Sequence, residues 1–126
     1  MNTVTLAQSA YARASSIAPS PRDTEYRAFA MVTRKLSEHA EVSRMDFARL
    51  AEAIHQNRRL WGVLAADAAG SANGLPDDLR AQVISLADFT NRYSTRVLQE
   101  GVSPAILVEI NTAVMRGLRA GPRDGR

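Results

Sequence analysis

A chain of 126 residues with 45% apolar and 23% charged side chains has enough apolar content for one folded core and too much for a disordered segment. The lack of cysteine excludes a disulfide framework, a thiolate metal site and a cysteine nucleophile. A formal charge of +3, carried by arginines interleaved with Asp and Glu and by a single lysine, Lys35, lacks the dense basic stripe of a dedicated phosphate binder.

The N-terminal stretch MNTVTLAQSAYARASS has neither the basic n-region nor the continuous apolar h-region of a secretory signal. Uncharged runs such as Gly62 to Ala66 fall far short of the roughly 20 residues of a membrane span. The cytoplasm is therefore the expected address. Periodicity of three and four residues, the signature of amphipathic helix, runs along nearly the whole chain, and strand alternation is absent. The first predicted helix, about 3–16, sets Leu6, Ala10, Tyr11 and Ala14 on one face. It is alanine-rich with one charge, Arg13, and so needs a groove to lie in. Pro19 breaks it. Ser20 as N-cap, Pro21 in the first turn and Asp23 as a reaching acid open a second helix over 21–40, with Tyr26, Phe29, Thr33, Leu36 and Ala40 as its stripe.

Ser43 and Asp46 repeat that start signal for a third helix over 44–69. Phe47, Leu50, Ile54, Asn57, Trp61, Leu64 and Ala68 form its unbroken stripe, a bundle seam with one polar member, Asn57, and Arg58 beside it. Gly70 ends this helix and Asn73-Gly74 marks a turn. Pro76 opens a fourth helix over 76–100, where Asp77 and Asp78 complement the positive end of the dipole. Leu79, Val83, Leu86, Thr90, Tyr93 and Val97 form its stripe, and Ile84 and Phe89 widen the apolar surface. After Gly101, Ser103 and Pro104 cap a fifth helix over 104–118 that turns Leu107, Ile110, Val114 and Leu118 inward. Asn111 repeats the polar oddity of Asn57, and Gly117 reads as a fraying helix end. Short connections favour antiparallel neighbours. The expected architecture is all-α, an antiparallel four- to five-helix bundle over residues 1–119 with a flexible basic tail at 120–126.

Chemistry-bearing constellations are sparse. Glu52 and His55 share a helical face in the spacing that metal-binding bundles use twice, but the other histidine, His39, directly follows Glu38 and completes no second pair. No glycine-rich loop is followed by a phosphate-binding lysine. Asp77 and Asp78 point about 100° apart on a helix, which suits the dipole better than acid–base work. The expectation is a protein that binds and does not catalyse, with no catalytic residue, no metal, no cofactor and no small-molecule substrate.

Several pieces, in order, resemble the FlaF family of flagellar proteins: Ala10-Tyr-Ala12, Ser20-Pro-Arg-Asp-Thr-Glu25, Asn57-Arg-Arg-Leu-Trp61, Asn73-Gly-Leu-Pro-Asp-Asp-Leu-Arg80, Ile84-Ser-Leu-Ala87, and Ile110-Asn111 leading to Gly117-Leu118. The likeness runs from about residue 7 to 118, leaving only the tail outside it. The resemblance implies a regulator of flagellin synthesis that acts with the flagellin-mRNA repressor FlbT and helps flagellin reach its export apparatus. The expected partners are flagellin, FlbT or both.

A helical bundle without a catalytic set fits capture of an amphipathic partner helix in a groove. The candidate partner-binding residues are Asn57, Arg58 and Trp61 on the third helix, with Leu75, Leu79 and Arg80 at the start of the fourth. Structural duty competes with contact at each of them. The first helix is a candidate to fill the groove until a partner displaces it. Direct contact of the arginines with flagellin messenger RNA is the minority alternative, and its mark is affinity that falls steeply with salt.

Overall fold

The computed structural model describes residues 2–17, 22–40, 47–70 and 74–120, with the side chains of 15–17, 22, 23, 39, 40, 119 and 120 excepted. Those residues form five α-helices, α1 (Thr3–Ile17), α2 (Arg22–Ala40), α3 (Phe47–Ala69), α4 (Asp77–Glu100) and α5 (Ala105–Ala120), and no strand. The chain is an all-α bundle, as the periodicity requires.

Local chemistry sets the ends that can be seen. The Asn2 side chain accepts the Thr5 amide at 2.8 Å and caps α1, satisfying one of the donors a helix start leaves open. Ser103 does the same for α5 through the Ala105 amide at 3.1 Å. Gly101 closes α4 in the left-handed region, with φ 75° and its amide bonded to the Val97 carbonyl, a conformation that glycine adopts without steric cost. Pro76 is the N-cap of α4 and holds an extended backbone, so the helix starts one residue later than predicted, at Asp77. The start signals read at Ser20 and Pro21 and at Ser43 and Asp46, the side chain of Asp23, and the tail from residue 121 lie outside the described residues.

The helices close into a ring: α1 packs on α5 and α4, α4 on α3, α3 on α2, and α2 on α5. α3 and α4 run antiparallel, since Arg58 bonds to α4 at Asn91 and Thr95 while Ala65 shares a cleft with Ile84. The short connection between α4 and α5 does not make close neighbours of them, because α1 packs against both. The alanine-rich helix thus has its groove, and it lies between α4 and α5.

At the centre Tyr11, Phe29 and Trp61 meet edge to face, with ring centroids 5.7–6.0 Å apart. Such pairs add about 0.5–1.5 kcal/mol each to the burial of their surface. Leu79, Leu86, Ile110 and Val114 surround them, and a second cluster of Leu36, Ile54, Val97 and Leu107 continues the core.

Two readings of the sequence are corrected. Phe47, placed in the α3 seam, is half exposed in the first turn of that helix. Gly117, read as fraying, is buried inside α5 at the crossing with α1. A Cβ there would come within 2.6 Å of the Gln8 carbonyl oxygen and 2.7 Å of the Ala12 nitrogen. The glycine therefore lets two backbones touch.

Candidate functional site

The six residues singled out on α3 and α4 divide into an inner and an outer set. Asn57, Trp61 and Leu79 are wholly inside. The Trp61 indole N–H donates to Asn111 Oδ1 at 3.0 Å, and Asn111 Nδ2 donates to Asn57 Oδ1 at 2.7 Å. This chain of hydrogen bonds ties α3 to α5 across the middle of the ring. It accounts for both polar interruptions of the apolar stripes, since a buried amide is tolerated only when its groups find partners. One donor, Asn57 Nδ2, finds none.

Arg58, Leu75 and Arg80 are the half-buried set. Arg58 Nη2 donates to the Asn91 carbonyl at 2.9 Å and also to Thr95 Oγ1. Arg80 Nη2 donates to the Leu75 carbonyl at 2.8 Å, folding the loop back onto the start of α4, while Leu75 leans on the main core cluster. The Nε of each arginine is buried without an acceptor. Among the described residues neither guanidinium is ion-paired.

Between α3 and α4 lies an open cleft of about 280 Å³, lined by Arg58, Trp61, Gly62 and Ala65 on one side and by Ile84, Ala87, Asp88, Thr90 and Asn91 on the other. Its floor is apolar. Ile84 is 38% exposed and Val63, next to Gly62, is 67% exposed. A Cβ at Gly62 would meet nothing within 4 Å, so no neighbour within the chain requires a glycine there. Asp88, the carboxylate of the cleft, is held by Arg92 at 2.8 Å. The sequence flagged Ile84 as surplus apolar surface. Gly62 went unremarked, although a glycine in mid-helix costs about 0.5–1 kcal/mol relative to alanine and is itself a signal.

α1 does not lie in this cleft. Its Ala7, Ala10 and Tyr11 are buried in the main cluster, and Arg13 pairs with Asp78 at the start of α4 at 3.0 Å. The Asp78 carboxyl is held below its ordinary range, chiefly by that hydrogen bond from Arg13. Burial, reinforced by Glu25 and Asp67, raises the Tyr11 hydroxyl far above the usual phenol range and keeps it neutral. Glu52 and His55 are exposed on α3, and Glu52 accepts a hydrogen bond from Gln56 at 3.0 Å. Among the described residues no group of three or more His, Cys, Asp or Glu side chains could hold a metal ion, and no helix is long and apolar enough to cross a membrane. The side chain of His39 lies outside the described residues.

Comparison with known families matches residues 7–118 to the family described as flagellar protein FlaF. Neither the curated proteins nor the solved structures give a match.

Proposed function

The chain belongs to the FlaF family of flagellar proteins, and on that premise we propose that it promotes flagellin synthesis and export by binding protein partners, without catalysing a reaction. The partners are flagellin, FlbT or both, met in the cytoplasm before export. The observation that carries the reading is the open apolar cleft between α3 and α4, with Ile84 and Val63 exposed beside it in a helix bundle of a flagellar family. A groove of this kind suits an amphipathic helix, whose apolar stripe it would hide from premature assembly. Of the six candidate binding residues, Arg58, Leu75 and Arg80 would act at the surface. Asn57, Trp61 and Leu79 would act by holding α3 and α4 in place.

The test is calorimetric titration of the chain with purified flagellin and, separately, with FlbT, at low and moderate salt. The expected result is micromolar or tighter binding to one of them, with a negative heat-capacity change from apolar burial and modest salt dependence. Absence of binding to both, alongside salt-steep binding to flagellin messenger RNA, would move the function to the arginines.

A further inference from the structure

Two half-buried arginines lie along the α3/α4 seam, one lining the cleft and one beyond it. Arg58 lines one end of it. Arg80 is not part of the lining; it lies one helical turn before Ile84 on the same stripe of α4, beyond the far end of the cleft, and its side chain reaches back to Leu75. From the level of Asn91, where Arg58 is bonded, to the level of Leu75 is sixteen residues of chain, most of it α4. At 1.5 Å per helical residue the two guanidiniums are roughly 20 Å apart, about four helical turns. Between them the floor is Trp61, Gly62, Ala65, Ile84 and Ala87.

Each guanidinium spends one nitrogen on a backbone carbonyl and keeps donors in hand, and each carries a buried Nε without an acceptor. Arginine left half-buried without a carboxylate bears an uncompensated desolvation cost. The carboxylate nearest by lining, Asp88, is already paired with Arg92. At Gly62 no side chain stands in the cleft to keep a second helix at a distance.

The geometry points to a specific occupant: a partner helix of about four turns laid along the α3/α4 cleft, apolar or small in its middle, with a carboxylate near each end facing Arg58 and Arg80. This deepens the reading of the chain as a binder of a helical protein partner and rests on it. The apolar floor supplies the contact area. The two charges fix where along the groove the helix sits, since charge-assisted bonds to a planar guanidinium are directional.

The experiment titrates the whole chain with two synthetic helical peptides of about 16 residues, whose first and last turns lie about 20 Å apart at 1.5 Å per residue. Both carry leucine and alanine at three- and four-residue spacing. One has a glutamate in its first and last turns and the other has glutamine there. The expected result is that the glutamate peptide binds at least tenfold tighter at low salt, and that Gly62→Phe abolishes binding of both without lowering the melting temperature. The Arg58→Gln, Arg80→Gln double variant should remove the preference for glutamate, so that the two peptides bind it alike. Equal affinity for the two peptides, no binding of either, or binding that survives Gly62→Phe would overturn the assignment. So would salt-steep binding of a single-stranded RNA oligonucleotide that is lost in the arginine double variant while neither peptide binds. Flagellin and FlbT separate the two levels of the argument. If one of them binds the wild type and Gly62→Phe equally, the cleft assignment fails and the protein-binding reading stands. If neither binds the wild type, that reading fails whatever the peptides do.

Discussion

Replacing Gly117 with alanine sets two known effects against each other at one position. Alanine in a helix interior gains about 0.5–1 kcal/mol over glycine. At Gly117 the added Cβ would lie 2.6 Å from the Gln8 carbonyl oxygen, 2.7 Å from the Ala12 nitrogen and 3.1 Å from the Tyr11 carbonyl carbon. All three are backbone atoms, so no side chain can rotate away. α1 must move off α5 by several tenths of an ångström and carry Tyr11 with it, disturbing its ring contacts with Phe29 and Trp61. Overpacking of this kind costs about 1–3 kcal/mol, which exceeds the helical gain, and the net expectation is a loss of about 1–2 kcal/mol. Gly62→Ala is the matched control, because its Cβ meets nothing within 4 Å and only the gain of about 0.5–1 kcal/mol remains. Urea unfolding followed by circular dichroism, with unchanged slopes, measures both. The two variants should move in opposite directions and end about 1–3 kcal/mol apart, the overpacking cost alone. Equal stability of Gly117→Ala and the wild type, or a gain, would refute the claim that this glycine permits the α1/α5 contact.

Asn111→Ala should cost about 2–4 kcal/mol by chemical denaturation, since it strips the partner from the Trp61 indole N–H and from Asn57 Oδ1 and leaves a cavity. A double-mutant cycle with Asn57→Ala should return a coupling of about 1–2 kcal/mol, and additivity would deny the network. Tyr11 is held neutral in the folded chain, whereas the unfolded chain ionises it near pH 10. Its contribution is therefore complete below about pH 10 and is lost as pH rises beyond that value, so stability profiles should fall less steeply above it in Tyr11→Phe than in the wild type. Asp78 has the opposite sign, with a folded pKa lowered by Arg13. Its contribution is present above the ordinary carboxyl range and is lost as pH falls through the lowered value. Because the pair is solvent-exposed, Arg13→Ala should leave the neutral-pH melting temperature unchanged within error while returning the Asp78 titration, read by carboxyl NMR, to the ordinary range.

Much of the fold was legible because helix formation is local. The step of three and four residues through Leu107, Ile110, Val114 and Leu118 was enough to place the inner face of α5, and all four are buried. Ser103 and Gly101 announced their caps because capping chemistry acts within one turn. Gly117 was misread for the converse reason. Its role depends on Gln8 and Ala12, more than a hundred residues away in sequence, and no spacing within α5 encodes that approach. Asn57 and Asn111 stood out as polar members of apolar stripes, but nothing in either stripe said that they answer each other. The cleft is a product of how α3 and α4 lie together. Only its ingredients, a surplus Ile84 and an unexplained Gly62, were present in the sequence.

Trp61 belongs to both halves of the molecule, and that decides which substitutions are informative about binding. It lines the cleft, bonds to Asn111 and packs against Tyr11 and Phe29. Trp61→Phe removes the indole donor and leaves Asn111 Oδ1 without that partner, at a cost of about 1–3 kcal/mol. The same change alters the cleft floor, so affinity and stability should fall together. Gly62→Phe enters the cleft from a position whose Cβ meets nothing within 4 Å, and affinity should fall while the unfolding midpoint stays level or rises. If both variants lost stability and affinity in proportion, the cleft would be inseparable from the core, and partner binding would have to be assigned to another face.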